Sequence, residues 1–195
     1  MTITHRPRSL ATLAAIAAVA AVAAARPTLA QDVPNREAAI ELRKQFITDL
    51  DSLHSKFVAL AKAFPAEKYA WRPAPGIRSV GEVFMHVASE FYVYTPLAFC
   101  GTASPVVTFT QAGLKEFESH ATKADALKHL DEGYTFARQA VMGRDPAAIT
   151  GKYKAFRNDH TIIEMSPDMT DDLHEHLGQL IAYARMNGVV PPWSK

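Results

Sequence analysis

Four stretches of this chain repeat apolar residues at every third or fourth position, and that period restricts what it can fold into. Leu42, Phe46, Leu50, Leu53, Phe57, Leu60 and Phe64 fall on one stripe. This is the pattern of a helix with one buried face; a strand would alternate its side chains instead. Pro65 closes the first helix. Trp71-Arg72-Pro73-Ala74-Pro75-Gly76 cannot continue it, and Trp71 is expected to plug the bundle end. A second helix opens on the capping box Ser79-Val80-Gly81-Glu82 and turns Val83, His86, Val87, Glu90, Tyr94 and Leu97 inward. Residues 101–113 read as an irregular crossing with one short strand-like run, Val106-Val107-Thr108-Phe109. A third helix starts near Thr122, with Asp125 as capping partner, and buries Leu127, Leu130, Tyr134, Ala137 and Val141 before Gly143. Asp145-Pro146 suits a short helical turn. The fourth helix opens on Ser166-Pro167-Asp168 and carries Leu173, His176, Leu177, Leu180, Ile181 and Ala184 toward Asn187-Gly188. Four amphipathic helices in one domain pack most economically as an all-α four-helix bundle. Two of the connections are long, so a simple up-down-up-down order is not required.

The start of the chain does not fit this pattern. His5-Arg6-Pro7-Arg8 is basic, residues 10–25 are Ala, Leu, Val and Ile with a single Thr, and Thr28-Leu29-Ala30 offers small residues for cleavage. Residues 1–30 are therefore expected to be a secretory signal peptide, residues 31–35 a disordered leader, and residues 36–195 the domain. The apolar run is shorter than the roughly 17–25 residues that span a bilayer. The expected location is periplasmic or secreted, with no membrane attachment after cleavage. The chain's formal charge is +1; Arg6, Arg8 and Arg26 account for three positive charges and residues 1–30 hold no acid, so the remainder is at about −2. That balance gives no basic footprint for nucleic acid. The single cysteine, Cys100, can form no disulfide within the chain and reads as a small buried hydrophobe.

Two histidines interrupt the apolar stripes. His86 and His176 lie on the inner faces of the second and fourth helices. Asp172 precedes His176 by one turn, and Glu90 follows His86 by one turn. An imidazole on a buried face needs a hydrogen-bonding partner or a metal for its ring nitrogens. Two imidazoles and a carboxylate on converging helices could form an open three-ligand site for a divalent transition metal. Spacing alone leaves a second reading open, in which the two histidines are core residues bonded to Glu90, Tyr183 or backbone. His174 points away from His176 and is expected to face solvent. His54 flanks the first stripe, and His120, His129 and His160 read as surface residues. The sequence has no glycine-rich phosphate loop, no CxxC pair, no HExxH and no serine-elbow motif.

Two ordered motifs carry a resemblance. Trp71-Arg72-Pro73-Ala74-Pro75-Gly76, Ser79-Val80-Gly81-Glu82 and His86-Val87-Ala88 resemble the first motif of the DinB-like superfamily. His176-Leu177-Gly178-Gln179-Leu180, Tyr183-Ala184-Arg185 and Gly188-Val189-Val190-Pro191-Pro192 are similar to its closing helix and tail. The resemblance implies a four-helix bundle with a non-sequential, up-down-down-up helix order, and a metal held by three histidines. The first of these falls on His86 and the last on His176. Family members commonly carry a histidine four residues before the last ligand, where this chain has Asp172, so the implied set is His86, Asp172 and His176, suited to zinc or nickel. The resemblance further implies a metal-dependent transferase or hydrolase acting through a metal-activated thiol or water. Glu90 or Tyr183 would orient a ligand or move a proton. Catalytic residues and a substrate are not legible. The alternative is a non-catalytic exported module that binds a small molecule or metal. A homodimer through exposed helix faces is compatible with either.

Overall fold

The structure is a computed structural model and describes residues 35–155 and 157–194. The chain divides into Met1–Ala30 and Gln31–Lys195, and the second unit holds the helical domain. The expected signal peptide and residues 31–34 of the leader lie outside the described residues.

Helix α1 (Arg36–Ala63) starts at Asn35, counted above with the leader, whose side chain accepts from the Ala38 N–H at 2.9 Å. Its buried residues include Phe46, Leu50, Leu53, Phe57 and Leu60, the stripe the sequence predicts. Helix α2 (Val80–Ser89) opens on the predicted capping box, with Ser79 and Glu82 each satisfying the other's backbone N–H. It runs into a π-helical turn (Glu90–Tyr94) and then helix α3 (Thr95–Cys100). In that turn the Thr95 N–H reaches back five residues to the Glu90 carbonyl. The wider turn rotates everything after Glu90. Tyr94 and Leu97, expected to face inward, are only partly buried, whereas Phe91, Val93, Ala98 and Phe99 are inside.

The crossing from α3 differs from expectation. Val106-Val107-Thr108-Phe109 forms no strand; Val106 and Phe109 are half exposed, and only Val107 is buried. A helix follows, α4 (Gln111–Ser119), capped by Thr110, whose hydroxyl accepts from the Gly113 N–H. With Leu114 and Phe117 as its apolar residues, it is too short to show a convincing period in sequence. Helix α5 (Lys123–Gly143) begins at Thr122 as predicted, and a 3-10 turn (Pro146–Ile149) follows Asp145.

A hairpin of β1 (Tyr153–Ala155) and β2 (Asn158–His160) pairs antiparallel ahead of the last helix. Helix α6 (Ile162–Met186) starts a full turn earlier than the Ser166-Pro167 signal indicates. A second capping box, Thr161 with Glu164, fixes its start and leaves Pro167 inside the helix. Five residues past the helix start, proline removes the N–H that would bond the Ile163 carbonyl, a local cost within an otherwise continuous helix.

Helix α1 packs chiefly on α5 and α6, and α2 packs on those same two helices and on α4. The first two long helices in sequence thus share their neighbours. Phe57, Phe64, Phe84, Phe91 and Phe99 are all nearly fully buried at the centre, and each such side chain contributes roughly 1.5–3 kcal/mol by its burial. No helix among the described residues is long and apolar enough to cross a membrane.

Candidate metal centre

The α2–α6 contact brings His86 and His176 together, with ring centroids 4.7 Å apart and planes at 84°. Glu90 stands between them. Its Oε1 lies 3.1 Å from His86 Nε2 and 3.2 Å from His176 Nε2. One ligand atom from each of these three residues falls within 4.8 Å of the others, so the group could hold a metal ion. Asp172, the third ligand expected from sequence, stands further off, with Oδ1 3.9 Å from His176 Nε2 and its side chain 40% exposed. Its position one turn before His176 on α6 keeps it at the edge of the cluster.

The back of each ring is also held. His86 Nδ1 lies 2.7 Å from Glu118 Oε1, and Arg78 donates to both Glu118 oxygens, from Nε at 2.8 Å and from a terminal nitrogen at 3.1 Å. His176 Nδ1 faces Gln179 Oε1 at 3.2 Å, Gln179 Nε2 donates to the Tyr183 hydroxyl at 3.0 Å, and Tyr183 donates to the Arg78 carbonyl at 3.2 Å. Trp71 packs edge-on against Tyr183 at 5.3 Å, the plug role expected for it.

The charges follow from these contacts. Burial alone would lower the His86 imidazole, but the Glu118 and Glu90 carboxylates outweigh it and lift it to about 9. His176 moves up for the same reason, through Glu90. Burial would raise the Glu90 carboxyl; the two imidazoles reverse that and hold it down at about 2. Glu118, also penalised by burial, is held below the ordinary range by His86 and Arg78. Asp172 goes the other way, pushed up to about 6 by burial and by the Glu90 charge.

The donor set fits a cation. A carboxylate oxygen only accepts, so an Nε2 that faces Glu90 must either carry a proton or share a positive ion with it. With the ring hydrogen on Nδ1, facing Glu118 in one ring and Gln179 in the other, two neutral imidazoles and a carboxylate would set three lone pairs against one another. The second oxygen, Glu90 Oε2, is buried and has no hydrogen-bonding partner among the described residues. Such an orphan acceptor costs about 1–3 kcal/mol unless something fills it. Imidazole nitrogen with carboxylate oxygen is a donor set for a borderline divalent metal.

The sequence missed two members of this arrangement. Glu118 lies on the unrecognised α4, and Arg78 lies just before the α2 cap, where no helical period marks its direction. The other histidines sit elsewhere. His174 is exposed, with Nδ1 on the Thr170 carbonyl. His54 stacks on Tyr134 at 3.8 Å and bonds Asp131 at 2.9 Å, which ties α1 to α5. His129, expected on the surface, is half-buried against Tyr92 and Phe117. Cys100 is half-buried and donates to the Ala140 carbonyl. A cleft of about 510 Å³, lined by Arg72, Ile77, Arg78, Lys115, Glu118 and His86 among others, approaches the cluster from behind the His86 ring.

Comparison with known proteins agrees with this architecture. No curated protein matches the chain. A DinB-like protein from Bacillus subtilis, known from its crystal structure, has a similar fold: TM-score 0.56, 19% identity, 77% of this chain and 97% of that chain covered. At that identity the likeness speaks for the fold alone. The DinB superfamily profile matches residues 49–180, from the middle of α1 to the last turns of α6, and spans both histidines and Glu90. The chain belongs to the DinB superfamily.

Proposed function

We propose that this is an exported metalloprotein that holds a divalent transition metal, zinc or nickel, among His86, His176 and Glu90 and uses it in a transferase or hydrolase reaction. The observation that carries the proposal is the convergence of two imidazoles, His86 and His176, on the buried Glu90 carboxylate, whose second oxygen is unsatisfied. A metal bound there would lower the pKa of a thiol or water and so supply a nucleophile at neutral pH. The chain's own contribution is position and proton handling. The α2 and α6 faces fix the two rings, and Glu90 compensates the ion's charge from inside. Asp172, half-exposed at the edge of the cluster, stands on the solvent side, where its carboxylate can accept a hydrogen bond from a bound ligand. Three protein ligands converge here, whereas a structural zinc prefers four. That difference favours an open working site.

One observation favours a second reading, a non-catalytic module with core histidines. Two protonated imidazoles at 3.1 and 3.2 Å from Glu90 Oε1 already form an ion triad without a metal. Metal content separates the two. The purified protein is expected to carry about one equivalent of metal, and His176→Ala to lose it while retaining its helical circular dichroism. A metal-free wild-type protein that takes up neither Zn²⁺ nor Ni²⁺ would leave only the ion triad. Export rests on the basic start and apolar run of residues 1–30. N-terminal sequencing of the periplasmic or secreted product tests it, with cleavage after Ala30 expected.

A further inference from the structure

The three-residue cluster does not explain why both imidazoles turn Nε2, rather than Nδ1, toward Glu90; the bonds behind the rings do. We propose that a single hydrogen-bonded chain anchored at Arg78 sets both histidines in the Nδ1–H form, so that Arg78, Glu118, Tyr183 and Gln179 act as positioning residues for metal coordination through Nε2. The inference rests on the metal-binding reading above.

The direction of the chain follows from its ends. A backbone carbonyl can only accept, so the Tyr183 hydroxyl commits its one proton to Arg78 O at 3.2 Å. The phenol oxygen is then an acceptor and takes the Gln179 Nε2 donor at 3.0 Å. That orients the amide with Oε1 toward His176 Nδ1 at 3.2 Å, and Oε1 can only accept. His176 Nδ1 therefore carries the hydrogen, and in the neutral ring the lone pair is on Nε2, the atom 3.2 Å from Glu90. The other arm leaves from the side chain of the same residue. The Arg78 guanidinium grips both Glu118 oxygens, and Glu118 Oε1, an acceptor, requires a hydrogen on His86 Nδ1 at 2.7 Å. His86 Nε2 again faces Glu90, at 3.1 Å.

The anchor is itself fixed. Arg78 precedes the Ser79 cap, whose capping box with Glu82 and the Val80 N–H bond to Trp71 O at 3.0 Å lock the local backbone. One residue thus reaches both rings, through its carbonyl on one side and its guanidinium on the other. Partners that hold a ligating histidine in this way are typically worth 10–100-fold in metal affinity.

The test is Zn²⁺ affinity, measured by competition with a chromophoric chelator, for wild type, Glu118→Ala, Glu118→Gln, Gln179→Ala and Tyr183→Phe. Thermal melts of each metal-free protein and long-range ¹H–¹⁵N spectra of the Zn²⁺-loaded imidazoles accompany it. The expected result is roughly 10–100-fold weaker binding for Glu118→Ala and Gln179→Ala, with Glu118→Gln recovering most of the loss because its amide oxygen still accepts from Nδ1. Wild type should show both rings protonated at Nδ1 and bound through Nε2, and Tyr183→Phe should lose that uniform pattern at His176. If Glu118→Ala does not fold, Glu118→Gln and Tyr183→Phe carry the test. Variants that melt earlier yet bind Zn²⁺ as tightly as wild type with unchanged imidazole spectra would overturn the positioning role and leave the metal site standing. A wild type that binds no Zn²⁺ would overturn the metal reading and this inference together.

Discussion

Individual side chains decide the chemistry of this protein by what they can donate or accept. The site histidines and His54 titrate in opposite senses because their neighbours differ. His86 and His176 each face the buried Glu90, and their imidazoles are raised. His54 has one exposed partner, Asp131, and stacks flat on Tyr134; burial dominates and lowers it. A histidine depressed in the folded state stabilises the fold above its unfolded pKa of about 6.5, and that contribution is lost as the pH falls through the folded value. The urea midpoint of wild type relative to His54→Gln is therefore expected to fall on going from pH 7.5 to 5.5. A gap that widened on acidification would mean the ring is charged and bound to Asp131. The inward histidines were legible as residues in the sequence, because an imidazole within an apolar stripe stands out. Glu118 and Arg78 were not, because a charged residue on a short helix or before a cap looks the same whether it faces water or another side chain.

Secondary-structure elements show where local signals agree and where they compete. The capping boxes at Ser79 and Thr161 each start a helix, but the second was hidden by Ser166-Pro167, an equally plausible start signal. Thr161 wins because Ile162 and Met165 gain burial from the extra turn. Pro167 then leaves the Ile163 carbonyl without its helical donor, so Pro167→Ala is expected to raise stability by about 1–2 kcal/mol, the recovered bond outweighing the freer unfolded chain. Chemical denaturation reads this, and an unchanged or lower midpoint would show that proline fits there at no cost. The opposite case is Gly81. A methyl at this position would collide with the Ala121 carbonyl and Cβ, where the loop ahead of α5 crosses α2. Gly81→Ala is expected to destabilise by about 1–3 kcal/mol in the same assay, although alanine is the better helix former. The π turn at Glu90 is a further limit on sequence reading. It shifts the phase of every later residue, and a regular period carried past it misplaces Tyr94 and Leu97.

For the molecule as a whole, a metal ion that binds only the folded state couples the α2–α6 contact to global stability. At a free Zn²⁺ concentration one hundred times the dissociation constant, the gain is about 2.7 kcal/mol, and for a domain of this size that is roughly 5–10 °C in Tm. Calorimetry with and without Zn²⁺ should show that rise in wild type and none in His176→Ala; an equal rise in both would place the binding elsewhere. By itself the sequence determined the helices with the longest apolar periods, the first capping box, and the two histidines that break the stripes, because those signals are written in spacing along a single helix. Only the tertiary structure decided that Glu90 sits between the two rings, that Asp172 stands at the edge, and that α4 brings Glu118 to the back of His86. Each of those depends on how separate elements rotate and pack against one another, and no periodicity within one element encodes the phase of its neighbour.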